Sequence, residues 1–120
     1  MSLPFKWTPL SIDTYVETVN TIQRRWTKRE ADAFEEKTAK TLSLIADTPE
    51  MFPLIKRKNI RRCVLSKQTT LYYKIRETEI ELLLFWDNRK NPKKLKLFIV
   101  AEPKTPYGKR KKKQRIKGRN

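Results

Sequence analysis

The sequence predicts an α+β fold: an N-terminal helical hairpin packed on a four- to five-stranded, mostly antiparallel sheet, with a disordered basic C-terminal tail. Three observations carry this expectation. Two apolar stripes of helical period occupy residues 9–47, β-rich runs separated by polar turns follow Pro53, and no periodic apolar pattern survives past Pro103 and Pro106. At 120 residues the chain has room for one small domain. That domain is expected over residues 1–102, with 103–120 as the tail.

Leu3-Pro4-Phe5-Lys6-Trp7 alternates weakly and reads as a short edge strand. Thr8-Pro9 then offers a hydroxyl cap followed by proline at the first helical position. Ile12, Tyr15, Val19, Ile22 and Trp26 recur at steps of three and four, which predicts a helix over about residues 9–25. Thr27 and Glu30 have the spacing of a capping box. Ala31, Phe34, Thr38, Leu42 and Ile45 form the second stripe, which Pro49 ends soon after Asp47. The link between the stripes is short, so the two helices should form an antiparallel hairpin.

Ile60 to Leu65, Thr70 to Arg76 and Glu79 to Asp87 read as strands of a meander. Leu82 to Trp86 is apolar on both faces, as a central strand would be. After a turn at Asn88 to Pro92, Leu95 to Val100 alternates with lysine and predicts a last strand. Leu71, Tyr73 and Ile75 are expected in the core, and Trp7, Trp26 and Trp86 as packing residues. Tyr72 points the other way and is a candidate for stacking on a base.

Charge points to the partner class. Twenty-nine Lys and Arg face thirteen Asp and Glu, a formal net charge of +16. The segment from Lys104 to Asn120 holds nine basic residues and no acid, and without it the chain still carries +7. Such a chain seeks polyanions or acidic protein. The tail, with its run Lys109 to Lys113, can neutralise phosphates but has no element for reading sequence.

One cysteine, Cys63, and no histidine exclude an internal disulfide, a Cys/His zinc site and a histidine-based triad. Cys63 is expected to be a small buried filler. No metal, cofactor or small-molecule substrate is expected. Residues 1–20 lack an apolar signal region, and the run Leu82 to Trp86 is too short for a membrane span. The expectation is a cytoplasmic protein with no membrane partner.

The order of elements, with Arg61 to Leu65, Leu71 to Ile75 and Ile80 to Pro92, resembles the RelE/ParE superfamily of toxins from type II toxin–antitoxin systems, the plasmid-stabilisation or addiction modules. The similarity covers about residues 5–100. The resemblance implies a toxin neutralised by a cognate acidic antitoxin. It also implies one of two targets. RelE-like members enter the ribosome and cut mRNA as metal-independent endoribonucleases, whereas ParE-like members inhibit DNA gyrase and are not enzymes. The expected function is the RelE-like one. The ParE-like one, and a basic RNA-binding accessory protein without toxicity, are the alternatives.

From Pro53 to Arg76 the chain has eight basic residues and no acid. RNA can be cut without metal if proton transfer is arranged and the phosphate's charge is stabilised, and guanidinium groups suit two phosphate oxygens at once. By resemblance, Arg61 falls at the first basic position of the catalytic strand and Arg89 near the transition-state arginine. Lys56, Arg57, Lys58, Arg62, Lys67, Lys90, Lys93 and Lys94 are the candidate nucleic-acid-binding residues. The meander is expected to bring the cluster around Arg61 and the cluster around Arg89 to neighbouring strand ends. The competing reading of Lys56 to Arg62 is a solvated strand edge, and that of Asp87-Asn88-Arg89 a turn with a local ion pair. The chain departs from the RelE-like pattern at Cys63 and Thr70, and no Tyr or His follows the Arg89 turn before Tyr107.

Overall fold

The computed structural model describes residues 2–55 and 58–101. Lys56, Arg57 and the expected basic tail, residues 103–120, lie outside the described residues. The chain divides into two compact units, Met1–Arg89 and Lys90–Asn120.

The first unit opens with strand β1, Phe5–Trp7, and helix α1, Pro9–Arg25. Thr8 caps α1 as expected, its hydroxyl accepting from the Ser11 N–H at 3.1 Å. Helix α2 spans Lys28–Asp47, and the Thr27 hydroxyl accepts from the Glu30 N–H at 3.2 Å. Ala31, Phe34, Thr38 and Ile45 of α2 are buried and Leu42 packs against the core, so the whole predicted stripe faces inward. A short 3-10 turn, Pro49–Met51, leads to strands β2, Arg61–Val64, β3, Thr69–Ile75, and β4, Ile80–Asp87.

The sheet has four strands in the order β1-β4-β3-β2. β2, β3 and β4 are antiparallel neighbours, while β1 runs parallel to β4. β4 is therefore internal, which its apolar run Leu82 to Trp86 required. One face of the sheet meets the hairpin and forms the core with Cys63, Leu65, Leu71, Tyr73, Ile80, Leu82 and Phe85. Trp7, Tyr15 and Phe85 add a cluster of rings with centroids 5.1 to 5.7 Å apart.

A bulge explains how β4 fills both faces. Tyr72 pairs with Leu84 but Tyr73 pairs with Leu82, so Leu83 is the extra residue. Leu82 and Phe85 consequently both face the hairpin. Helix α1 serves the polar groups that the bulge disturbs. The Thr8 hydroxyl donates to the Leu82 carbonyl at 2.8 Å, and the Phe85 N–H donates to the Thr14 hydroxyl at 2.9 Å.

Two expectations about core side chains need correction. Trp26 is 51% exposed and Ile12 47% exposed, so both stand outside the core although they lie on the predicted stripe. Buried Ser11 takes the inward position at the start of α1 instead. Periodicity fixes an apolar stripe but not how much of its width the sheet covers.

The described element of the second unit is helix α3, Pro92–Ala101. The strand predicted for Leu95 to Val100 is not formed, and the sheet has four strands, within the expected four to five. Asn91 is the physical reason. Its side-chain oxygen accepts from the Lys93 N–H at 2.9 Å and its carbonyl from the Lys94 N–H at 3.0 Å. Pro92 follows at the first helical position, where its missing N–H has no cost. The Lys/Leu alternation imitated a strand, and the cap decided for a helix.

Candidate functional site

The arginines of the first unit have different surroundings. Arg61 and Cys63 face the hairpin, because the side chains of β2 alternate and Cys63 is buried in the core. The Arg61 guanidinium donates to the carbonyls of Glu50, at 3.1 Å, and Phe52, at 2.8 Å. Arg76 donates to one oxygen of Glu81 through two nitrogens, at 3.0 and 2.8 Å. Arg89 forms a two-point pair with Asp87, at 3.0 and 2.9 Å, and this hydrogen bonding raises its pKa further. The turn reading of Asp87-Asn88-Arg89 is thus realised as a local ion pair.

Arg61 and Arg89 are not brought together. β2 and β4 are both antiparallel to β3 and so run the same way. The start of one and the end of the other then lie at opposite ends of the sheet. Arg61 is in register with Tyr73, whereas Arg89 lies beyond Asp87, which is in register with Thr69. Four residues of strand separate those positions, roughly 13 Å at the usual rise. The expectation of neighbouring strand ends overlooked this parity of directions. Lys67 does sit near Arg89, since its carbonyl accepts from the Asn88 side-chain amide at 3.2 Å. Lys58 is exposed beyond the loop that faces Arg61. Lys90, Lys93 and Lys94 are exposed residues of the second unit.

Arg62 differs from its neighbour by one position and by everything that follows from it. It shares the sheet face opposite the hairpin with Val64, and its partner across the ladder is Tyr72. There an open groove of about 480 Å³ is lined by Phe52, Pro53, Arg62, Val64, Thr70, Tyr72 and Asn88. Among the described residues no carboxylate lines it. Among the described residues, Arg62 has no ion-pair partner. Tyr72 is 7% exposed, and burial raises the pKa of its phenol against the opposing pull of Arg62. At neutral pH the phenol is therefore a neutral hydrogen-bond donor beside a cation. The Thr70 hydroxyl donates to the Asn88 side-chain oxygen at 2.9 Å, which fixes the amide's orientation along the groove wall.

Of the described sequence candidates, only Arg62 and Tyr72 reach this groove. Phe52, Pro53, Val64 and Asn88 were missed. The available signal was the alternation Arg62-Cys63-Val64, which puts the outer two side chains on one face once Cys63 is assigned inward. Cys63 itself is a buried filler as expected, with its thiol pushed up to about 11 by burial. The groove offers a guanidinium, a phenol and an amide against apolar walls. It suits holding an anionic group next to an apolar one.

The chain thus folds as a hairpin of two helices on a four-stranded sheet of order β1-β4-β3-β2, with β1 parallel to β4. The chain is similar in structure to a chain of the chromosomal ParDE TA system from P. aeruginosa, with a TM-score of 0.61 and 10% sequence identity. The likeness covers 72% of this chain and 96% of that one. No protein-family model and no curated protein matches the sequence. No helix among the described residues is long and apolar enough to cross a membrane.

Proposed function

We propose that this chain is the toxin of a type II toxin–antitoxin pair, held inactive by a cognate antitoxin, and that it acts by binding in the ParE-like manner, with DNA gyrase as its target. The fold likeness to a ParDE chain supports the toxin reading. One observation favours binding over cleavage. The two arginines on which a RelE-like reaction would rest, Arg61 and Arg89, stand at opposite ends of the sheet. Each is held by the protein's own oxygens, Arg61 by the Glu50 and Phe52 carbonyls and Arg89 by Asp87. Cations committed in this way do not converge on one phosphate.

The RelE-like reading keeps one supporting observation, the exposed Arg62 beside Tyr72 on an acid-free groove. It would move the reaction from Arg61 to Arg62. Two assays on the induced protein separate the readings. The ParE-like function predicts growth arrest, loss of supercoiling by purified gyrase, and no new mRNA ends. New mRNA 5′ ends with intact supercoiling would replace it by the nuclease.

A further inference from the structure

Helix α1 is neutral in a strongly basic chain. It holds Asp13 and Glu17 in its first half and Arg24 and Arg25 in its last turn, while the whole chain carries +16. Its outward face carries no charge at all. Pro9, Ile12, Val16, Asn20, Gln23 and Trp26 follow one another at steps of three and four, so they share that face, and all are exposed. Val16, near the middle, is 50% exposed. Trp26 closes the stripe at the end of the helix, its N–H still bonded to the Ile22 carbonyl at 2.9 Å. Tyr15, Val19 and Ile22 are turned the other way and pack on the core. The stripe runs the length of the helix, about 25 Å at the usual rise. In a chain with charged residues at 35% of its positions, an exposed apolar face without any marks a contact surface.

The pattern of charge beside the stripe is complementary to itself. By the helical period Asp13, Glu17 and Arg24 lie along one flank, acidic in the first half and basic at the end. A two-fold axis across the helix near Val19 lays a second α1 antiparallel on the first, so that each contact occurs twice. The acidic half of that flank then faces the basic end of the same flank on the other copy, Trp26 covers Ile12 of the second copy, and Gln23 lies beside Val16. We infer that α1 is a self-association surface: two copies pair antiparallel along Ile12, Val16 and Trp26, with Asp13 of each against Arg24 of the other. A polyanion or an acidic protein finds no net positive charge on this helix, whereas a second copy finds its match. The groove that holds Arg62 is on the sheet face opposite the hairpin, so the pairing leaves it open. The inference goes beyond the toxin reading and stands with or without it.

Sedimentation of the full chain over a range of concentrations at low salt tests this, with tryptophan emission as the second reading. A single helix pair lies at the small end of specific interfaces. The mass should therefore rise from one copy to two between low and high micromolar chain, and emission should move to the blue in a shift that Trp26→Phe abolishes. Val16→Glu sets a charge in the middle of the stripe on both copies and should weaken association by roughly a hundredfold, with circular dichroism and melting unchanged. Asp13→Arg and Arg24→Asp should each weaken it by about tenfold, because each turns two attractions into repulsions. An equimolar mixture of those two variants should regain the lost affinity, since the pairs it forms are again opposite in sign. One copy at every concentration, two copies indifferent to Val16→Glu, or a mixture no better than its components would each overturn the inference. So would burial of Trp26 that is independent of concentration and lost on truncation after Ala101, which assigns the stripe to the chain's own tail. Burial that appears only with an added acidic protein would overturn it too, in favour of that partner.

Discussion

Arg61 and Tyr73 face each other across β2 and β3 and hold the same short segment: the guanidinium reaches the carbonyls of Glu50 and Phe52, and the Tyr73 hydroxyl donates to the Pro49 carbonyl at 2.7 Å. The segment that joins α2 to the sheet is thereby stapled by two side chains of the sheet itself. Arg61 is then a structural residue, and Arg61→Ala should cost about 1.5–3 kcal/mol, the range for hydrogen bonds to a charged group. Tyr73→Phe, which leaves one carbonyl unpaired, should cost about 1 kcal/mol. Chemical denaturation measures both. Any loss of activity in Arg61→Ala should return when the protein is assayed at lower temperature, which loss of a catalytic group would not allow.

Thr8 links α1 to the bulged strand. Its hydroxyl caps the helix through Ser11 and donates to the Leu82 carbonyl. Thr8→Ala removes both at a buried position and should destabilise the first unit by about 2 kcal/mol. Thr8→Ser keeps the oxygen and should recover most of that in the same denaturation experiment.

Alkaline stability should report two buried groups. Burial raises the Cys63 thiol from 9.0 to about 11, although Lys37 pulls the other way, and raises the Tyr73 phenol from 10.0 to about 12. Both folded values lie above the unfolded ones, so each contribution is complete below the unfolded value and is lost as pH rises through the folded one. The denaturation midpoint should hold up to about pH 9 and fall from there to about pH 12. Cys63→Ala should move the onset of that fall up by roughly one unit, to where tyrosine begins to ionise. The native thiol should also resist a disulfide reagent at pH 8 until the protein is unfolded.

Asn91 should govern the start of α3. Lys93 and Lys94 lie in the first turn, where positive charge opposes the helix dipole, so the cap has more to offset. Asn91→Ala should weaken the first turn by about 1 kcal/mol. Amide exchange at Lys94 and Leu95 should speed up, while amides of β3 and β4 keep their protection.

The legible parts of the fold were those with a local chemical signature. Thr8-Pro9 and Thr27 with Glu30 marked both helix starts because a cap is a bond between near neighbours. The β2–β4 meander was legible because β-branched and aromatic runs alternate with polar turns. Asn91-Pro92 carried an equally local cap, but the alternation of Lys94, Leu95, Lys96 and Leu97 was the more conspicuous pattern. The exposure of Ile12 and Trp26 depends on how far the sheet reaches along α1, which no local pattern encodes. The site was less legible for a related reason. Arg61 and Arg62 are chemically alike, and one residue of strand parity sends the first to the loop carbonyls and the second to the groove. Parity of strand direction likewise separates Arg61 from Arg89, and it follows only from the whole sheet order.

We propose binding, rather than RNA cleavage, as the way this chain arrests growth. The most direct test is controlled induction in a bacterium with simultaneous mapping of mRNA 5′ ends and of plasmid supercoiling. The account predicts arrested growth, relaxed plasmid and an unchanged set of mRNA ends. Growth that continues, or arrest accompanied by new mRNA ends and normal supercoiling, would contradict it.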